Sequence, residues 1–195
     1  MITGQALADI DIDAATQLYQ AKCSVCHGDS GNATAPALPK LAGQQPTYLT
    51  KTLNDYQSGM NGVRPNPIMI SFAAPLTATE IANLTAYLST QTATGGEVQK
   101  RFLPLGEKLY RAGDTERHIP ACAACHGPTG AGNLEATYPK LAGQNSAYIA
   151  GQLQLFASDQ RHSDPQSMMR DIAKRLNLED QAALASFIQG LRPQP

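Results

Sequence analysis

The chain has no tryptophan, and its seven tyrosines and four phenylalanines make up only 6% of 195 residues. A core this short of large side chains is easier to complete around a bulky bound group. Charge is also sparse: Asp, Glu, Lys and Arg amount to 16%, with a net charge of −1. That excludes the composition of a disordered chain and the basic excess of a nucleic-acid-binding one. No apolar run approaches the ~20 residues of a membrane span. The start, "MITGQALADIDID", lacks the basic residues and apolar stretch of a signal peptide. The chain therefore reads as soluble, with any export signal absent from it. Its length suits one large domain or two small ones.

Cysteine occurs in two settings only: "CSVCHG", with Cys23, Cys26 and His27, and "CAACHG", with Cys122, Cys125 and His126. Both are C-x-x-C-H, the attachment pattern of c-type haem, in which the thiols bind the porphyrin edge and the adjacent histidine meets the iron. A zinc site would not place histidine directly after each pair. A thioredoxin-like C-x-x-C would sit among alternating strands and helices, and disulfides would not explain the repeated histidine. Two covalent haem c groups are expected.

The halves repeat. "PKLAGQ" at 39–44 returns unchanged at 139–144, and the register continues without a gap through Tyr48/Tyr148, Leu53/Leu153, Tyr56/Phe156, Ala73/Ala173 and Leu84/Leu184. The Cys and His positions lie 99 apart, so one residue has been added between the second haem motif and its "PKLAGQ". The expected architecture is all-α with two homologous domains, 1–90 and 101–195. "STQTATGGEVQK" is the connector, centred on 91–100. Helices are predicted over the segment before Cys23, over 106–113, and over 46–59 and 146–159, where apolar residues recur at helical intervals. Another begins at the Thr77/Glu80 capping box, and its counterpart opens at "NLED", 177–180. "DTERHIP" reads as an inserted loop. Residues 1–95 carry 4 Lys/Arg against 6 Asp/Glu, and 96–195 carry 11 against 10, a net −2 and +1. This is a weak asymmetry, able to orient a partner at most.

Each iron needs a second axial ligand. Cysteine is excluded because all four are committed, and the remaining histidines, His118 and His162, lie in the second half without repeats. Among five methionines, only Met69 and Met169 share a register; Met60 falls on Gln160, and Met168 on Ile68. Met69 and Met169 are therefore the candidate ligands, set against the plainer role of methionine as core filler. Thioether ligation raises the reduction potential and suits an electron carrier. A haem-binding histidine normally has its other nitrogen held by an acceptor, and the carbonyls of Pro39 and Pro139 are candidates. Gln44, Gln144, Tyr48 and Tyr148 are candidates for contacts with haem propionates, as are Arg64 and Arg161. The plainer alternative is that the prolines shape a turn and the tyrosines pack.

With "CSVCHGDSGN", "PKLAGQQPTYL", "IMISFAAPLT", "IPACAACHGPTGAGN", "YPKLAGQNSAYI" and "MMRDIAKRLNLED" in place, the chain resembles the two-haem cytochromes c4 over nearly its whole length. The resemblance implies two class I cytochrome c domains related by a pseudo-twofold axis, each with His/Met iron and with the proline carbonyl on the haem histidine. It also implies a bacterial periplasmic carrier, free or peripherally membrane-associated, between a reductase or dehydrogenase and a terminal oxidase. "GMNGVRPNPIM" adds Met60 near the expected ligand as a minor alternative. The competing functions are a subunit of a sulfur-compound dehydrogenase and a two-haem enzyme. A peroxidase needs an open iron position, and thiosulfate dehydrogenases that resemble this fold use an axial cysteine. Matched methionines and the lack of a spare cysteine argue against both enzymes.

Overall fold

A computed structural model describes residues 10–192; most of the "MITGQALADIDID" stretch, including Met1, lies outside the described residues. The first half contains α1 (Ile12–Lys22), α2 (Ser24–His27), α3 (Pro46–Gln57), α4 (Pro67–Ala73) and α5 (Ala78–Thr90). The second contains α6 (Leu103–Arg111), α7 (Ala123–His126), α8 (Ser146–Ala157), α9 (Met168–Ala173) and α10 (Leu178–Gly190). Extended pairing among the described residues is limited to two isolated bridges, Asp114 with Ile119 and Asn133 with Tyr138. The architecture is two helical domains in tandem.

Local chemistry sets the helix ends. Asp11 caps α1 by accepting from the Ala14 amide. The Thr77/Glu80 capping box opens α5, and an Asn177/Asp180 box opens α10. Three helices differ in their bounds from the sequence pattern. The helix expected over 106–113 begins earlier, with Pro104 in its first turn, and gives way at Gly113, whose φ is +70°. The helices expected to reach 59 and 159 stop at Gln57 and Ala157, because Gly59 and Asp159 both take positive φ. The inserted loop closes on itself through the Asp114–Ile119 bridge, and Arg117 ties it to Asp114 and Asp180 at 2.9 and 2.6 Å.

Each half buries its own core. In the first, α1 and α5 cross with Tyr19 against Tyr87, ring centroids 5.5 Å apart, over Ala15, Leu49 and Leu84. In the second, α6 and α10 bring Tyr110 against Phe187 at 5.4 Å, over Leu109, Ile149, Leu153 and Leu184.

Reciprocal hydrogen bonds join the halves. The Gln44 carboxamide donates to the Lys140 carbonyl and accepts from its amide, at 2.9 Å each. Gln144 does the same to Lys40, at 2.9 and 2.8 Å. Gln45 reaches Ala131 while Asn145 donates to the carbonyls of Ala33, Ala35 and Leu38. Contacts that exchange partners in this way are the mark of a twofold relation. The connector is strapped down as well: the Thr94 amide donates to Asn32, and the Gly96 amide to the Gln189 carbonyl.

Candidate haem-binding sites

Both C-x-x-C-H motifs fold as a single helical turn, which brings residues three and four apart onto one face. Cys23 and Cys122 pack against their own cores, whereas Cys26 and Cys125 are exposed. None of the four is in a disulfide. Burial raises the Cys23 thiol and pushes Cys122 up to about 11.

The turn ends at Gly28 or Gly127, with φ near +78° and +79°. At Gly28 the open conformation is required, since an added Cβ would lie 2.6 Å from the Asn32 oxygen. A buried tyrosine clamps each turn: Tyr19 donates to the Gly28 carbonyl at 2.6 Å, and Tyr110 to the Gly127 carbonyl at 2.7 Å. Neither tyrosine was singled out from the sequence. The repeated "LY" pairs, Leu18–Tyr19 and Leu109–Tyr110, were the available signal.

His27 and His126 are buried, and the Nδ1 of each lies 3.0 Å from the carbonyl of Pro39 or Pro139. A carbonyl can only accept, so Nδ1 carries the proton and Nε2 keeps its lone pair. Burial lowers the pKa of both rings, partly opposed by the proline carbonyl, and so favours the neutral, metal-binding form. The donor set fits a c-type haem iron.

The candidate sixth ligands begin two short helices. Asn66 caps α4 by accepting from the Met69 amide at 3.0 Å. Met169, on α9, packs against the second core. Met60 is 58% exposed. Met168 points its sulfur at the Tyr138 hydroxyl, 3.8 Å away. His118 and His162 lie exposed on the surface.

Between the halves sit two buried guanidiniums. Arg64, 4% exposed, donates to Thr52 and to the Tyr148 hydroxyl at 2.9 Å, across the interface. Arg161, 7% exposed, donates to Ser163, Gln152 and the Tyr48 hydroxyl at 3.1 Å. Among the described residues, no carboxylate pairs with either. Burial pushes the Tyr48 phenol up, but Arg161 and Arg64 outweigh it and bring it down to about 7; Tyr148 moves up through burial. The cluster thus favours an anion, and carboxylates such as haem propionates match its charge. Gln44 and Gln144 are different. Each carboxamide is engaged at both its oxygen and its nitrogen in the interface bonds described above.

The sequence profile of the family described as Cytochrome c matches residues 12–92 and again 105–192. The chain is 41% identical to "Cytochrome c4" of Stutzerimonas stutzeri, over 97% of this chain and 93% of that protein. Its fold superposes on the crystal structure of reduced recombinant cytochrome c4 from Pseudomonas stutzeri with a TM-score of 0.88, at 38% identity, covering 93% of this chain and 99% of that one. The chain belongs to the cytochrome c4 family. As a cytochrome c4 it is an electron carrier with two covalently bound haem c groups, acting with redox partner proteins. It is also 36% identical to a "Thiosulfate dehydrogenase electron acceptor" of Stutzerimonas stutzeri, over 85% of this chain and 76% of that protein. Among the described residues, no helix of this cytochrome is long and apolar enough to cross a membrane.

Proposed function

We propose that one haem is joined to Cys23 and Cys26 with its iron between His27 and Met69, and the other to Cys122 and Cys125 with its iron between His126 and Met169. The domains divide as 1–90 and 101–195 around the 91–100 connector. The observation that carries this assignment is the twice-built imidazole-to-proline hydrogen bond, 3.0 Å in both halves. Bound at these sites, each haem supplies a one-electron ferric/ferrous couple. The chain's own residues do the rest. Tyr19 and Tyr110 hold the attachment turns. Pro39 and Pro139 fix the imidazoles. Arg64 with Tyr148, and Arg161 with Tyr48, would hold the propionates at the domain interface.

The protein works in the bacterial periplasm, taking electrons from a reductase or dehydrogenase and delivering them to a terminal oxidase or other acceptor. A second assignment of the donor, a thiosulfate-oxidising enzyme, is favoured by the likeness to the thiosulfate dehydrogenase electron acceptor. Rapid reduction of the holoprotein by such an enzyme, with no thiosulfate oxidation by the holoprotein alone, supports it.

The decisive experiment is a redox titration followed spectrally. Met69→Ala and Met169→Ala each remove about half of the far-red Met–iron charge-transfer band and lower one of the two potentials. Met60→Ala and Met168→Ala leave the band intact. If Met168→Ala removes it instead, the ligand assignment in the second half is wrong.

A further inference from the structure

The second half places two thioethers next to each other, Met168 and Met169, where the first half has Ile68 and Met69. The backbone leading to them is strained. Gln166 and Ser167, immediately before α9, both adopt left-handed conformations with φ of 52° and 61°, a costly choice for side chains with a Cβ. The first half enters α4 without such residues, through Asn66 and Pro67. Relaxing the strained turn would let the start of α9 slip, and a slip of one residue would put Met168 where Met169 stands.

Two contacts oppose that slip. The Asp164 carboxylate accepts from the Arg170 backbone amide at 3.0 Å and from its Nε at 2.9 Å, which pins the helix just beyond Met169. The Tyr138 hydroxyl meets the Met168 sulfur at 3.8 Å, within the range of a hydrogen bond to thioether. Tyr138 is well placed to act as an anchor. Its ring lies 6.3 Å from that of His126, and its backbone is held by the reciprocal bridge to Asn133, both bonds 2.9 Å. That bridge falls in the segment where the second half carries its one extra residue. The first half has Leu38 at the position of Tyr138, so the hydroxyl and the thioether it engages occur in the second half only.

We propose that Tyr138 is a positioning residue that holds the Met168 sulfur away from the iron, so that Met169 alone serves as the sixth ligand of the second haem. This rests on the assignment of Met169 as that ligand. The first half needs no such device, because Ile68 cannot compete for iron. The added residue and the Asn133–Tyr138 bridge present the hydroxyl; the tandem methionine is what makes it necessary.

The test uses the protein with both haems attached, in the ferrous state, by proton NMR of the axial methionine methyl groups, which the haem ring current moves far upfield. The native protein gives two such resonances. Tyr138→Phe and Tyr138→Leu, the latter restoring the first-half residue, give a third resonance or exchange broadening of the second-haem signal, together with a split or shifted second potential. Adding Met168→Ile to either variant restores two sharp resonances. If both Tyr138 variants keep two sharp resonances and native potentials, the inference is overturned. It is equally overturned if the third signal persists after Met168→Ile. Met169→Ala separates the two levels: loss of one native resonance upholds the ligand, and retention of both removes the ligand assignment and this inference with it.

Discussion

At the residue scale, the haem motifs work through atoms outside them. The imidazole tautomer is set by a proline carbonyl 12 or 13 residues downstream. The turn that presents the cysteines is closed by a tyrosine from the preceding helix. Tyr19 is fully buried, so Tyr19→Phe leaves the packing in place and deprives the Gly28 carbonyl of its donor. The expected loss is about 1 kcal/mol of holoprotein stability, measured by denaturant titration, with the Met–iron band unchanged. A loss near zero would mean that water replaces the hydroxyl without cost. The buried arginines show the limit of register reasoning. Arg64 and Arg161 play matching parts, yet the 100-residue offset aligns Arg64 with Asp164 and Arg161 with Asn61. Their equivalence exists in space only, where each crosses to the other half's tyrosine.

At the scale of elements, the two halves build one crossing with different spacing. Ala15 precedes Tyr19 by four residues on α1, and Gly106 precedes Tyr110 by four on α6. A Cβ at Gly106 would lie 2.4 Å from the Ala183 carbonyl oxygen and 2.8 Å from Phe187 Cβ, so α6 approaches α10 more closely than an alanine allows. Gly106→Ala is therefore expected to destabilise the second domain by about 1–3 kcal/mol through overpacking, despite the gain in helix propensity. Thermal unfolding of the holoprotein checks the sign; a rise in midpoint would show that the crossing relaxes without cost. Helices α3, α5 and α8 were legible in the sequence from apolar residues at helical intervals, and α10 from its opening at 177–180 and its match to α5. Helices α4 and α9, only seven and six residues long, were not, because fewer than two turns leave no period to read.

At the scale of the whole molecule, the interface depends on polar pairing more than on a shared core, since each hydrophobic cluster stays within its own half. Gln44 and Gln144 supply its most symmetrical element, and the connector is bonded to both sides. Replacing both glutamines with alanine takes these side-chain bonds from the Lys40 and Lys140 backbones, at about 1–3 kcal/mol for each side. The expected result is loss of the single cooperative unfolding transition in favour of two, and slower electron exchange between the haems, read by line broadening in half-reduced samples. Unchanged cooperativity would assign the cohesion of the halves to the Arg–Tyr cluster instead.

The sequence by itself determined the two C-x-x-C-H motifs, the internal repeat, the all-α class and the shared register of Met69 and Met169, because each is written as residue identity at fixed spacing. The tertiary structure alone decided what Gln44 and Gln144 do, how two arginines out of register become equivalents, and what Met168 touches. Those facts depend on which surfaces meet once the domains pack. A glutamine beside a haem motif and one facing another domain are the same letter until the chain has folded.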